Sequence, residues 1–314
     1  MDHAKTVSVH LVLSHAAHAA AEVFQALRKQ TSQDLQIIVV HHATQEWEAP
    51  WLAHEGPDFF ALRNFRDQGF ARAHNQAIAL ALSRWPKEIL AERFVFILSP
   101  RTVLAPEALE RLVDACRRDP EIALAGPTIL RATLLPTEED RCEIERTTTM
   151  ESTGTSIKKS RAFFDRGAGE EQGAGPEIEE VFAPPAQGFL IRADALARAS
   201  VEGEWLDPDL PSAQALFDFL WRCRVLGMRS VHVRDAIAWH QTSVPALLYG
   251  TCFLQMKNDT VGDMIRNAPW IIGGWMRGAF TLLFHPRALV TWMRSARAIP
   301  RFFRKRRYVH PLFF

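Results

Sequence analysis

The segment Phe94–Leu104 places a cation where an α/β protein commonly binds its ligand. Five apolar residues run into Ser99 and Pro100, and Arg101 is the first charged side chain that follows. An apolar run of this length before a turn predicts a buried strand of a parallel sheet, and ligands of such sheets bind outside the carboxyl ends of the strands. A guanidinium at that position could bind a phosphate group with two parallel hydrogen bonds.

Histidines that follow the first two predicted strands offer a second candidate site. They are His15, His18, His41 and His42. These imidazoles could converge at the carboxyl edge of the sheet and ligate a metal ion. No short ligand spacing fixes their geometry, so a solvated rim is the alternative interpretation.

The elements that must position these residues alternate between strand and helix. Strands are predicted for VSVHLVL, LQIIVV, FVFIL and IALAGP, and helices for AAEVFQALRKQ, GFARAHNQAIALALSRW and APEALERLVDACRRD. This rhythm predicts a largely parallel α/β sheet.

Between Arg131 and Gly188 the pattern gives way to Thr, Glu, Gly and Pro, which predicts a long irregular loop of functional importance over the cleft. Helical spacing then resumes in FLIRADALARA and SAQALFDFLWRCRVLG, and RSVHVRDAIAWH predicts edge strands.

Composition is that of an ordinary globular chain. The 314 residues are 47% hydrophobic and 23% charged, a balance that argues against disorder. The four cysteines form no Cys-x-x-Cys pair, so neither a zinc ribbon nor a disulfide framework is indicated. The first residues lack the basic start and long apolar core of a secretory signal, and we expect a cytoplasmic protein.

Charge divides the chain at Asp263, its last acidic residue. The segment from Met264 to Phe314 has ten Lys and Arg and carries +10, against a net charge of +1 for the whole chain. Its apolar runs are shorter than the ~20 residues of a membrane-spanning helix. Arginines recur opposite an aromatic and aliphatic face, namely Arg277, Arg287, Arg294, Arg297 and Arg301. The pattern predicts helices that lie in an anionic membrane surface, whereas the interleaved aliphatic residues argue against nucleic acid as a partner.

Several blocks of the sequence resemble the family 2 glycosyltransferases of the GT-A fold, especially their rhamnosyltransferase-like branch. In the family's order and spacing they are VSVHLVLSH, QTSQDLQIIVVHHATQ, RDQGFARAHNQAIALAL, FVFILSPRTVLAPEALERLVDACRRDPEIALAGP and WLDPDLPSAQALFDFLWRCRVLGMRSVHVRDAIAWHQ. The resemblance implies a Rossmann-like GT-A domain with a mostly parallel central sheet in residues 1–243. Residues 244–314 would then form a basic tail of amphipathic helices.

The resemblance also implies a reaction, the attack of an acceptor hydroxyl on a sugar linked to a nucleoside diphosphate. That reaction needs a general base and positive charge on the diphosphate, which the family usually supplies with Mg or Mn on a carboxylate. Here the metal-binding Asp of the family's Asn-Pro-Asp-Thr is Arg101, so no metal cofactor is expected. The Glu-Asp pair that carries the base falls on Ala215 and Leu216, which cannot accept a proton.

Other positions that match or replace the family's binding residues are candidates for a nucleotide-sugar or another anionic ligand. The nucleotide and diphosphate candidates are Ser14, His15, His41, Gly69, Phe70, Asn75, Ser99, Arg101 and His240, and the acceptor-side candidates are Gly188, Asp207 and Asp209. Packing is the alternative role of each, since glycine often serves backbone geometry alone and His240 follows a tryptophan at a strand end.

Two classes of function follow from these observations. One is a glycosyltransferase of glycoconjugate or cell-surface polysaccharide assembly that works without a metal, with Arg101 on the diphosphate. The other is a pseudoglycosyltransferase, a non-catalytic binding or scaffold subunit beside an active glycosyltransferase. In both cases we expect a peripheral protein at the inner face of the cell membrane, held there through residues 264–314.

Overall fold

A computed structural model describes residues 5–13, 17–42, 58–136, 142–210, 212–241, 257–259, 261–284, 293 and 297–309. The strands are β1 (Val7–Leu13), β2 (Leu35–His42), β3 (Phe59–Asn64), β4 (Phe94–Leu98), β5 (Thr102–Leu104), β6 (Ile122–Pro136), β7 (Cys142–Ser152), β8 (Thr155–Ile157), β9 (Phe163–Asp165), β10 (Ile178–Val181), β11 (Gly188–Arg192) and β12 (Arg229–Gln241). The helices are α1 (Ala17–Arg28), α2 (Phe70–Arg84), α3 (Ala108–Arg118), α4 (Ala193–Ala199), α5 (Ser212–Val225), α6 (Val261–Arg266), α7 (Ala268–Phe284) and α8 (Ile299–Val309), with a 3-10 helix at Lys87–Glu92.

Ten strands form one sheet with the order β10-β12-β6-β11-β4-β1-β2-β3, to which β5 adds beside β12 and β7 beside β6. The strands β1 to β4 pair in parallel, and β12 is parallel to β6, while β11 runs antiparallel between β4 and β6. The expected α/β class with a mostly parallel sheet is therefore confirmed.

The sheet is buried on both faces, which explains why its central strands are continuously apolar. Within β4, Phe94, Phe96 and Leu98 pack in the cluster that contains α1 and α3. The alternate residues Val95 and Ile97 pack in the cluster that contains α2, α4 and α5. The carboxyl ends of β1, β2 and β4 thus meet at one edge between two helical layers.

The prediction of a long irregular loop between Arg131 and Gly188 is wrong. Strand β6 continues to Pro136 and pairs with β7 in an antiparallel ladder, β8 pairs with β9, and β10 joins the main sheet beside β12. Strands β7 and β10 each pair with one strand of the main sheet, and β8 and β9 form a separate two-stranded sheet. Such strands can carry Thr and charged residues, because a face that is not buried needs no apolar side chain. The polar composition of this segment therefore led to the wrong prediction of an irregular loop where the chain forms strands.

Two shorter predictions also need correction. FLIRADALARA is not helical throughout, since the five residues of β11 are all buried between β4 and β6 and only Ala193–Ala199 forms a helix. RSVHVRDAIAWH is one long strand, β12, and not a pair of edge strands. It is covered by β6 on one side and by β10 and β5 on the other. In both segments the pairing with neighbouring strands, and not the local sequence pattern, determines the secondary structure.

A glycine on β6 gives a stability prediction. A Cβ at Gly126 would overlap Cδ of Pro185 and lie 2.7 Å from Cβ of Pro184. We expect Gly126→Ala to lower the free energy of unfolding by about 1–3 kcal/mol through overpacking, as measured by urea denaturation. Gly175→Ala, where a Cβ would meet nothing within 4 Å, is the matched control. Equal stability of the two variants would contradict the packing seen here.

Candidate functional site

Arg101 is held in a tight turn at the carboxyl end of β4. Ser99 and Pro100 are residue types favoured at the first two positions of a β-turn, and the N–H of Thr102 donates to the carbonyl of Ser99 at 3.0 Å. The N–H of Arg101 donates to Ser99 Oγ at 3.3 Å, and its carbonyl accepts from the N–H of Gln241 at 3.0 Å. The backbone is fixed while the side chain is exposed, and its guanidinium makes no ion pair with any residue the structure describes.

A carboxylate and an imidazole form a hydrogen-bonded pair beside this turn. His240 lies opposite Thr102 in the pairing of β12 with β5, and its Nδ1 is 2.9 and 3.1 Å from the two carboxylate oxygens of Glu151. Nε2 of Gln187 donates to Glu151 at 3.0 Å, and the Gln187 carbonyl accepts from the N–H of Ser99 at 3.0 Å. Because Glu151 engages Nδ1, the imidazole has Nε2 left for a ligand.

Asp165 adds a second carboxyl group to this cluster. Burial, the largest influence, raises the pKa of Asp165 above its ordinary value, a hydrogen bond with Ser152 opposes the shift, and the charge of Glu151 raises the pKa further. A carboxyl group with a raised pKa holds its proton more readily than usual. The turn of Arg101 thus lies beside two carboxyl groups and an imidazole, the types of group that bind anions and transfer protons in proteins.

On the nucleotide side, Gly69 and Phe70 begin α2 near the same sheet edge. Gly69 has φ of +83° and open space where a Cβ would lie, so backbone conformation and not close approach requires the glycine. The Phe70 ring packs edge-on against His74 with 4.4 Å between ring centroids. Burial, followed by the charge of His42, lowers the pKa of His74 to about 3. Both predicted residues thus have a structural role.

The two histidines at the end of β2 do not converge. His41 and His42 are consecutive strand residues and point to opposite faces of the sheet. Burial, followed by the charges of Arg63 and His42, lowers the pKa of His41, while His42 Nε2 lies 3.6 Å from Asp67. The arrangement of His41 and His42 therefore does not support the predicted histidine metal site. In the part of the chain that the structure describes, no group of three His, Cys, Asp or Glu side chains could hold a metal ion.

Two of the predicted nucleotide residues, Ser14 and His15, lie outside the described residues, as does the side chain of His18.

Asn75 connects α2 to the acceptor side of the domain. Its Nδ2 donates to the carbonyl of Leu206 at 2.8 Å, and its Oδ1 accepts from the N–H groups of Leu206 at 2.9 Å and Trp205 at 3.3 Å. The buried amide thus satisfies backbone groups directly before Asp207. Gly188, the other predicted small residue, would bring a Cβ to 3.4 Å from Leu98 and Phe96, which is ordinary contact.

The acceptor-side candidate Asp207 lies in a buried network of charges. Its Oδ2 accepts from Lys257 Nζ at 2.7 Å and its Oδ1 from Lys305 Nζ at 2.6 Å. Lys257 also donates to Asp218 at 2.8 Å, so one ammonium bridges two carboxylates. The side chains of Asp207, Lys257 and Asp218 are all at most 2% exposed. These carboxylates are neutralised inside the protein and are not open to a ligand.

Asp209, the other acceptor-side candidate, is engaged by the C-terminal helix α8. It pairs with Arg301 and accepts from Lys305 Nζ at 3.1 Å. Phe302 on the same helix is fully buried in the domain core. Arg301, one of the arginines predicted to lie opposite the apolar face of a membrane-surface helix, is instead paired with a carboxylate from a distant part of the sequence.

The positions that should carry the catalytic base face the core. Ala215 is 0% and Leu216 5% exposed, and both belong to the apolar cluster around α5. Asp218 and Arg222, one turn apart on α5, form a buried ion pair at 3.0 Å. Arg222 also donates to the carbonyls of Ala199 and Trp205. These motif residues serve the scaffold.

Sequence reasoning missed Glu151, Asp165 and Gln187. All three lie in the segment interpreted as an irregular loop, and only strand pairing brings them to His240 and the turn of Arg101. The run of threonines at 147–149 was the available signal, since β-branched residues favour strands.

Comparison with known proteins supports the fold. TarS of S. aureus, residues 1–349, in complex with UDP, superposes with a TM-score of 0.53 at 10% identity, covering 85% of this chain and 69% of that one. A second structure of TarS residues 1–349 gives a TM-score of 0.52 at 10% identity over 95% of this chain and 82% of that one. A mannosyltransferase from Pyrobaculum calidifontis in complex with GDP-Man and Mn²⁺ gives 0.48 at 13% identity, over 98% of this chain and 86% of that one. The chain has the GT-A type of glycosyltransferase fold.

No protein-family model and no curated protein sequence matches the chain. At identities of 10 to 13%, the superpositions show the fold alone.

The buried network gives a prediction about pH. Burial raises the pKa of Asp207, but the charges and hydrogen bonds of Lys257 and Lys305 outweigh it and lower the pKa from 3.8 to about 2. A depressed pKa contributes stability that is complete above pH 3.8 and is lost as the pH falls toward 2. We expect Asp207→Asn to lose about 3 kcal/mol of unfolding free energy at pH 7 and to show a shallower loss of stability across that acidic window.

Denaturant unfolding at several pH values measures both effects. Asp58→Asn is the control, because that carboxylate lies partly exposed and pairs only with Lys5 among the ion pairs given by the structure. A variant of Asp207 as stable as wild type at pH 7 would show that the network contributes nothing.

Proposed function

We propose that this protein binds a nucleoside diphosphate, free or attached to a sugar, at the carboxyl edge of its sheet without a divalent metal, and that it is a pseudoglycosyltransferase of the family 2 type. The sequence blocks that resemble this family also suggest its rhamnosyltransferase-like branch. The observation that carries the proposal is Arg101, a guanidinium fixed in a turn at the strand end, exposed, and without an ion-pair partner among the described residues.

Electrostatics favours a direct contact between this arginine and phosphate. A guanidinium carries a permanent charge and donates two parallel hydrogen bonds to phosphate oxygens, so it neutralises a diphosphate without an intermediary ion. A divalent cation placed next to it would be repelled. The imidazole of His240, whose Nδ1 is bonded to Glu151, has Nε2 left for contact with the ligand.

Loss of sugar transfer is supported by the acceptor side. Asp207 and Asp209 are paired with Lys257, Lys305 and Arg301, and the positions of the family's base are core residues. A general base must lie within hydrogen-bond reach of the acceptor hydroxyl with a lone pair available, and a carboxylate saturated by cations does not meet that requirement.

Calorimetry tests the binding proposal. We expect UDP or GDP to bind equally well in EDTA and in manganese, and Arg101→Ala to weaken binding by about tenfold or more, since a hydrogen bond to a charged group contributes about 1.5–3 kcal/mol. Arg118→Ala, an exposed arginine at the end of α3, should leave binding unchanged. Metal-dependent tightening, or unaltered affinity in Arg101→Ala, would overturn the proposal.

Glu151 favours a second candidate function, a metal-independent glycosyltransferase with an altered base. Its carboxylate is 13% exposed and bonded to His240, the kind of acid–base pair that transfer requires. Nucleoside diphosphate release from UDP-sugars and GDP-mannose, with membrane lipid extracts as acceptor, separates the two candidates. We expect negligible release; robust release that is lost in both Arg101→Ala and Glu151→Gln would establish the enzyme instead.

The proposal also covers the biological process, the partner and the location of the protein. The family resemblance suggests glycoconjugate or cell-surface polysaccharide assembly, beside an active glycosyltransferase as partner. The charge of residues 264–314 supports peripheral attachment at the inner face of an anionic membrane. None of the helices in the described residues is long and apolar enough to span a membrane.

A further inference from the structure

We propose that Arg131 is a second arginine of the ligand site and binds the terminal phosphate of the nucleoside diphosphate, while Arg101 binds the phosphate next to the nucleoside. This inference rests on the proposed function and names the residue that distinguishes a nucleoside diphosphate from a monophosphate.

Arg131 lies beside His240 in the main sheet. Strands β6 and β12 run parallel, and these two residues are direct partners in their register. Side chains of paired residues point to the same face of a sheet, and neighbouring strands lie about 4.8 Å apart. Arg131 therefore adjoins the imidazole whose Nδ1 is bonded to Glu151 and whose Nε2 is left for a ligand.

Strand β12 lies between the two arginines. On one side of it, the N–H of Gln241 donates to the carbonyl of Arg101 at 3.0 Å, where β5 pairs with β12. On the other side, Arg131 pairs with His240. Two strand spacings place the Cα atoms of Arg101 and Arg131 about 10 Å apart. Because arginine side chains are long, guanidinium groups from both sides can meet a diphosphate that lies over the end of β12.

The charge of Arg131 is not used within the part of the chain that the structure describes. The residue is exposed, and its guanidinium makes no ion pair with any described residue. The nearby carboxylate of Glu151 is bonded to His240 and accepts from Nε2 of Gln187 instead. A permanent cation without an internal partner is available to an anionic ligand.

The balance of charge favours a ligand with two phosphate groups. Arg101 and Arg131 are permanent cations, and Glu151 is matched by its contact with His240. Burial, the largest influence, raises the pKa of Asp165, so this carboxyl group loses its proton less readily than usual. Two guanidinium groups can each donate two hydrogen bonds to phosphate oxygens, which matches the two phosphates of a diphosphate.

The order of strands assigns the terminal phosphate to Arg131. The nucleotide candidate His41 ends β2, and Arg101 follows β4, while Arg131 lies on β6. Strand β4 lies between β2 and β6 in the sheet. A nucleoside on the side of β2 therefore directs its phosphates past Arg101 toward Arg131.

Calorimetry in EDTA with a matched pair of nucleotides, UDP and UMP or GDP and GMP, tests the inference. Wild type should bind the diphosphate more tightly than the monophosphate. Arg131→Ala should weaken binding of the diphosphate by about tenfold or more and leave binding of the monophosphate unchanged. Arg198→Ala, which removes an exposed arginine of α4, should bind both nucleotides like wild type. Urea denaturation should show wild-type stability for both variants, since only exposed side chains change.

The outcomes separate this inference from the proposed function. Failure of wild type to bind either diphosphate without metal overturns both. Diphosphate binding that Arg101→Ala weakens and Arg131→Ala leaves unchanged overturns the role of Arg131 alone. Equal weakening of diphosphate and monophosphate by Arg131→Ala overturns the assignment of this residue to the terminal phosphate.

Discussion

The ammonium of Lys257, buried between Asp207 and Asp218, is the interaction on which the arrangement of the later part of the chain depends. A charge removed from water costs several kcal/mol unless it is matched closely, so these groups hold one geometry or none. Lys305 and Arg301 extend the network to Asp209, and Arg222 extends it to two backbone carbonyls. The result fixes α5, the segment after Leu206 and helix α8 to one another.

This network also changes what the acceptor side can do. In the resemblance that the sequence suggests, the corresponding acidic positions face the reacting groups; here three carboxylates are matched by Lys257, Lys305, Arg222 and Arg301. At the carboxyl end of β12, by contrast, the turn of Arg101 lies beside the hydrogen-bonded pair of Glu151 and His240. In the proposed function, the ligand site keeps its position on the GT-A scaffold while Arg101 supplies the positive charge.

The helices of the basic C-terminal segment differ in which of their side chains are buried. In α8 the cations face inward, toward carboxylates from residues 207 and 209, and help to close the domain. In α6 and α7, Ile265, Trp270, Ile272 and Met276 are exposed while Ile271 is buried, and no acidic residue follows Asp263 in the sequence. Net charge alone therefore does not reveal which cations are available to a partner.

The sequence by itself determined the α/β class, the buried strand before Arg101 and the absence of carboxylates at positions 101, 215 and 216, because apolar runs, helical spacing and residue identity are local properties. Asn75 and Gly69 were recognised as significant, yet their roles as a backbone clamp and a positive-φ residue depend on where α2 is placed. Only the tertiary structure decided that residues 131–188 form strands, that Glu151 meets His240, and that Lys305 meets Asp207 across 98 residues of sequence. Pairing between polar strands and between distant charges leaves no periodic pattern in a sequence, since it is fixed by which segments the folded sheet brings together.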